Sequence, residues 1–153
     1  MKHCFIFFHL IAPLFLFSQS GVVVSIKDGD TMVILDSLKV QHTIRVADID
    51  CPEKGQPFSE KAKDFVSDQV FGKFVTIKPK SIDHYGRVIG FVLYDDKNLS
   101  LELLKHGFAW HYSYYSNDQE MAELEIYARN NKIGLWIDPN PINPYKWRRG
   151  ERN

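Results

Sequence analysis

The chain has 153 residues, with 19 Lys+Arg against 19 Asp+Glu, 44% apolar and 14% aromatic residues, the composition of one ordinary globular domain. Two Cys exclude a disulfide scaffold, and 9 Gly with 7 Pro exclude a collagen-like or extensively disordered chain. A net charge of zero excludes capture of nucleic acid or membrane by bulk positive charge, so any anion must be held by a few placed groups.

Residues 1–20 stand apart, holding five of the eleven Phe, one Lys and no acidic residue. Lys2 gives a positive start, Cys4 to Phe17 is apolar except for His9 and Pro13, and Ser18-Gln19-Ser20 supplies small residues for cleavage near Ser20. This reads as a secretory leader outside the fold, with a secreted or periplasmic destination. The apolar run is shorter than the ~20 residues a membrane span needs, so no stable membrane association is expected after cleavage. Without the leader, 18 basic residues face 19 acidic ones, a net charge of −1, and Cys51 is the only cysteine. An intramolecular disulfide is therefore not possible, although an exported protein could keep one.

In chain order, Gly21 to Lys27 and Thr31 to Leu35 are β-branched runs separated by Asp28-Gly29-Asp30, a hairpin signal. A third strand is predicted over Val40 to Ile49, with Val40, Ile44 and Val46 on one face and Arg45 on the other. From Pro57 the period changes. Phe58, Ala62, Phe65, Val66 and Val70 follow helical spacing, Pro57 suits a first helical position and Gly72 a stop. Phe74 to Lys78 and Val88 to Tyr94 read as two further strands. Three strands, a helix and two strands are the order of the five-stranded Greek-key barrel called the OB-fold, here with α+β character because two more helices follow. Those are predicted at Leu99 to His106, stopped by Gly107, and at Asp118 to Asn131, capped by Asn117, which makes three helices in all. The domain is expected over residues 21–137. Residues 138–153, Pro-rich and then basic, are expected to form an irregular tail that attracts substrate without joining the chemistry.

Four polar stretches fall at strand ends or loops: Asp28 to Thr31, Arg45, Asp50 to Glu53, and Asp83 to Arg87. Singly, each has a plain reading as a turn or a solvated charge. In a small barrel, strand ends on one rim converge, and carboxylates with two guanidinia are the parts needed for metal-assisted phosphodiester hydrolysis.

The pattern resembles the thermonuclease family, the staphylococcal nuclease-like domains. The matching residues are Asp28-Gly29-Asp30-Thr31, Arg45, Asp50-Cys51-Pro52-Glu53 and Asp83-His84-Tyr85-Gly86-Arg87. Leu103-Leu104, Gly107-Phe108-Ala109 and Gly134-Leu135-Trp136 follow. The resemblance spans Gly21 to Trp136 and implies a calcium-dependent endonuclease, a monomer, that cuts DNA and RNA and leaves 3′-phosphate ends. It also implies that Asp30, Asp50 and the main-chain carbonyl of Cys51 hold Ca²⁺ through oxygen. Arg45 and Arg87 would grip the scissile phosphate and Glu53 would orient the attacking water. Asp83, His84, Tyr85 and Tyr115 match positions near the bound nucleotide. Three features depart from the best-known secreted member: His84 stands where lysine is common, Cys51 where threonine is common, and the loop Lys54 to Pro57 is short.

Two rivals remain open on the sequence. One is a non-catalytic OB-fold module that binds nucleic acid. The other is a surface protein held by an uncleaved N-terminus. The complete set of Asp30, Arg45, Asp50, Glu53 and Arg87 favours the enzyme.

Overall fold

The structure, a computed structural model, describes residues 19–152. The expected leader lies outside the described residues except for Gln19 and Ser20, which already belong to the first strand. That strand, β1 (Gln19–Asp28), is followed by β2 (Thr31–Leu35), β3 (Gln41–Val46), a two-residue β4 (Ile49–Asp50) and helix α1 (Ser59–Val70). Then come β5 (Phe74–Ile82), β6 (Val88–Tyr94), β7 (Lys97–Asn98), α2 (Leu99–Lys105), β8 (Trp110–His111) and α3 (Gln119–Asn130). A 3₁₀ turn at Gly134–Ile137 and a short helix α4 (Pro144–Arg148) end the chain.

The barrel strands run in the order β3-β2-β1-β5-β6, and β3 pairs again with β6, in parallel, to close the sheet. Closure leaves no long free edge and matches the expected five-stranded barrel. β1 serves two partners: residues 22–28 pair with β2, while Gln19 to Val22 pair with β5. Strand pairing thus already includes Gln19, opposite Ile77, two residues ahead of Gly21.

The interior is filled by alternate residues of each strand, among them Val23, Met32, Ile34, Ile44, Val46, Val75, Ile77 and Val92. Each fully buried aliphatic side chain contributes roughly 1.5–3 kcal/mol, and together they offset the cost of burying Asp30, Thr31 and Asp50 at one rim. Helix α1 closes on the barrel through Ala62, Val66 and Val70. Helices α2 and α3 pack on each other, placing Leu103, Leu104 and Met121 in the same core. A smaller cluster of Trp110, Ala128, Leu135 and Trp136 sits beneath the C-terminal segment.

Several local expectations change. Helix α1 starts at Ser59 after Phe58 in the left-handed region (φ 69°), so Pro57 precedes the cap instead of occupying the first turn. The cap of α3 is Asp118, whose side chain accepts from the N–H of Met121; Asn117 lies one residue too early. Where an irregular tail was expected over residues 138–153, helix α4 forms at Pro144–Arg148, with Asn143 accepting from the N–H of Tyr145 and Pro144 in the first turn. Among the described residues, four α-helices therefore stand where three were predicted.

Candidate active site

The Asp28–Thr31 turn joins β1 to β2, with Asp28 opposite Thr31. An Asp-Gly pair predicts a turn with φ above zero, yet neither Gly29 nor Asp30 has positive φ. Glycine is needed there for space: a Cβ on Gly29 would lie 2.9 Å from Cys51 Cβ and 3.0 Å from Ala62 Cβ. The hairpin tip is pressed onto the end of β4 and onto α1, which brings Asp30 to Asp50. The N–H of Cys51 donates to Asp30 Oδ2 (3.0 Å), and the Thr31 hydroxyl donates to Asp30 Oδ1 (3.1 Å).

Arg45 lies opposite Thr31 on β3, on the non-core face as its period predicts. Its guanidinium spans the two carboxylates, with Nη1 3.1 Å from Asp30 Oδ2 and Nη2 3.0 Å from Asp50 Oδ1. Nη1 also donates to the carbonyls of Val46 (3.0 Å) and Ile49 (3.1 Å). Burial works against its charge, but Asp30 and Asp50 overcome that effect and raise its pKa. Cys51 is buried, and burial pushes its thiol well above the usual range, so it is no nucleophile. Asp28 is itself pushed up to about 6, by burial first and then by Asp30.

Arg87 is held by its own turn. Asp83 Oδ1 accepts from the N–H groups of Tyr85 (3.0 Å) and Arg87 (2.9 Å), and Asp83 Oδ2 accepts from Arg87 Nε (2.7 Å). Burial works against the Asp83 charge, yet these bonds from Arg87 hold its carboxyl below the usual range. Asp83, expected near the nucleotide, is thus the brace behind Arg87. The two terminal nitrogens of Arg87 have no hydrogen-bond acceptor among the described residues. Arg87 lines a groove of about 500 Å³ together with Lys27, Asp28, Thr31 and Tyr85. His84 is exposed and packs on Tyr85, with ring centroids 3.8 Å apart. Tyr115 is exposed and sits edge-on between Tyr112 and Tyr114.

Glu53 follows β4 in a loop closed by Gln56, whose Oε1 accepts from the N–H of Glu53 (2.9 Å). Its carboxylate meets Arg148 of α4, which also reaches Asp50: Nη2 is 3.0 Å from Asp50 Oδ2 and Nη1 3.3 Å from Asp50 Oδ1. Burial opposes the charge of Arg148, and its bonds to Asp50 and Glu53 outweigh that and raise its pKa. Sequence reasoning missed this arginine because a basic terminus reads as solvated charge. Asn143 before Pro144 was the available signal, a cap residue ahead of a proline suited to a first helical turn. Tyr112 was also missed; burial and then the nearby Asp50 raise its pKa.

The chain matches, over residues 43–138, the family described as Staphylococcal nuclease homologue. It belongs to that family. This nuclease-family chain is 42% identical over 130 residues to an uncharacterized endonuclease of Haemophilus influenzae, covering 85% of this chain and 73% of that one. It is 40% identical over 146 residues to a micrococcal nuclease of Shigella flexneri, covering 87% and 82%. A staphylococcal-like nuclease of Arabidopsis thaliana is 37% identical over 115 residues, 75% of this chain and 36% of that longer protein.

Among the described residues no group of three or more His, Cys, Asp or Glu side chains stands ready around an ion. A metal in this nuclease domain would rest on Asp30, Asp50 and a carbonyl, with water completing its shell. The donor chemistry fits Ca²⁺: every candidate ligand is a hard oxygen, and two buried carboxylates face each other within the reach of one guanidinium.

Proposed function

We propose that this enzyme is a calcium-dependent endonuclease that hydrolyses phosphodiester bonds in DNA and RNA and leaves 3′-phosphate ends. The observation that carries this reading is the state of the two arginines. Arg45 is locked across Asp30 and Asp50, while Arg87 lines the groove, is fixed by Asp83 through Nε, and has no hydrogen-bond acceptor for its terminal nitrogens among the described residues. A guanidinium braced through Nε presents its remaining fork to a tetrahedral oxyanion.

A phosphate at the turn would accept hydrogen bonds from Arg87, and from Arg45 through donors left over from its carboxylate pairs. A bound Ca²⁺ would neutralise Asp30 and Asp50 and polarise a phosphate oxygen. Glu53 would accept the proton of the water that attacks phosphorus, and the bond from phosphorus to the 5′-oxygen would break. Negative charge on the phosphoryl oxygens grows along that path, so both arginines act more strongly on the transition state than on bound substrate. Tyr85 and Tyr115 offer exposed ring faces for bases. We further propose export of the chain with removal of the leader, action as a monomer, and no membrane association afterwards. Intact-mass measurement of the protein recovered from the producing cell checks the leader.

The direct test is incubation of purified protein with single-stranded DNA, in Ca²⁺, Mg²⁺ or chelator, followed by analysis of product ends. Cleavage in Ca²⁺, poor cleavage in Mg²⁺ and none in chelator is expected, because Mg²⁺ demands a tighter octahedron and keeps its waters. Arg87→Ala and Glu53→Gln are expected to lose about 100- to 1000-fold in rate while binding single-stranded DNA within several-fold of the parent. Equal cleavage under all three metal conditions refutes the calcium assignment. Binding without cleavage by the parent makes the chain a non-catalytic binding module.

A further inference from the structure

The residue that the proposed calcium chemistry leaves unexplained is Arg148. It arrives from 95 residues beyond Glu53 in the chain, yet it contacts both that carboxylate and Asp50. The contact is built, not incidental. Gln56, which closes the Glu53 loop, donates through Nε2 to the carbonyl of Ile142. Asn143 caps α4, Pro144 is buried, and Trp147 lies over the cavity between Gln56 and Trp110. The segment is therefore docked on the loop that carries Glu53, and α4 sets Arg148 down on Asp50.

Asp50 is the crowded member of the site. Its side chain is only 3% exposed, its Oδ1 accepts from Arg45 and Arg148, and its Oδ2 accepts from Arg148. Three carboxylates, Asp30, Asp50 and Glu53, face two guanidinia, a local net charge of −1. An ion that takes Asp50 as a ligand meets a bidentate cation already seated there. Asp50 already carries Arg45 and Arg148, so an ion would be a third cationic group on one buried carboxylate, repelled by both guanidinia in a medium of low dielectric. If Arg148 leaves, the local charge becomes −2 and a divalent ion balances it.

We propose that Arg148 is the internal counter-cation of this metal site, occupying Asp50 and Glu53 in the metal-free protein, so that Ca²⁺ binding unseats the C-terminal helix and frees Glu53. The proposal rests on the calcium reading above. Binding of the ion and docking of α4 are then linked and oppose each other, and removal of either strengthens the other.

The test is calorimetric titration of Ca²⁺ into the purified full-length protein and into Arg148→Ala and Arg148→Lys, with thermal unfolding to confirm that each is folded. Arg148→Ala is expected to bind Ca²⁺ about 5- to 100-fold more tightly than the parent, with Arg148→Lys between them. In the parent itself, which needs no substitution, hydrogen exchange of the backbone amides of residues 145–149 is expected to speed up on addition of Ca²⁺. Equal or weaker Ca²⁺ binding by Arg148→Ala, with the parent binding normally, overturns the counter-cation role and leaves the calcium reading standing. Unchanged exchange at residues 145–149 on saturation with Ca²⁺ overturns the unseating. Absence of Ca²⁺ binding by parent and both variants overturns the calcium reading, and the counter-cation with it.

Discussion

Asp83 shows how a side chain in the turn that carries Arg87 can act entirely through its neighbour. Both of its oxygens are committed to Arg87 and to the turn amides, so its removal should loosen the fork without touching a nucleotide. Asp83→Asn is expected to lower kcat about 10- to 100-fold with a smaller change in KM, the signature of a group that positions a transition-state donor. Its folded pKa is depressed, so the stability it contributes is present above the unfolded value of ~3.9 and is lost as pH falls through the lower folded value. The parent should accordingly exceed Asp83→Asn in stability at neutral pH, by under about 1 kcal/mol for an ion pair whose arginine is partly exposed, with the gap closing in acid. Urea unfolding at several pH values checks the sign. Arg45 differs because it is largely enclosed between two buried carboxylates. In chelator, Arg45→Ala leaves those charges with one partner fewer and should destabilise the fold by about 3–5 kcal/mol, with Ca²⁺ restoring part of the loss. Urea midpoints with and without Ca²⁺ measure both effects.

Among the elements, two glycine motifs that looked unrelated in the sequence explain each other. Gly107 follows α2 with φ 67°, and Gly134 opens the 3₁₀ turn with φ 58°. The N–H of Leu135 donates to the carbonyl of Gly107 (2.8 Å). A Cβ on Gly107 would sit 2.2 Å from the carbonyl oxygen of Ile133, and one on Gly134 would sit 2.3 Å from that of Gly107. The end of α2 and the segment after α3 thus touch backbone to backbone, which places Leu135 and Trp136 beneath the C-terminal segment. Either Gly107→Ala or Gly134→Ala should cost about 2 kcal/mol or more, from left-handed strain plus a backbone clash that no rotamer relieves. A shift in thermal midpoint under about 2 °C would contradict this account of the motif. β5 and β6, the fourth and fifth strands of the barrel, meet a similar limit, since a Cβ on Gly90 would approach Ile77 Cγ2 to 2.8 Å.

Over the whole molecule, charge is balanced and the groove relies on a handful of cations. Substrate affinity should therefore fall with salt with a slope of only about −2 to −3 in log–log form, as two or three neutralised phosphates predict. A slope near −8 would mean a wide electrostatic footprint that this surface does not have. Truncation after Asp138 removes Ile142, Pro144, Trp147 and Arg148 together and uncovers the cluster of Trp110 and Leu135. It is expected to lower the thermal midpoint by several degrees, at roughly 1–3 kcal/mol for the lost apolar contacts, and to lower the Ca²⁺ concentration giving half-maximal cleavage. A tail that only attracted substrate would change neither.

Local order was legible in the sequence: the five barrel strands, the helix between the third and fourth, and Arg45 on the face away from the core. These follow from period-two and 3.6-residue patterning and from turn chemistry, which act between near neighbours in the chain. Only the tertiary structure decided what Gly29, Asp83 and Arg148 do. Gly29 is required by an approach to Cys51 and Ala62, Asp83 faces back onto Arg87, and Arg148 meets carboxylates from the other end of the chain. Each of these depends on long-range closure of the barrel or on docking of one segment against another, and the free energy of a buried ion pair exists only once both partners have left water together.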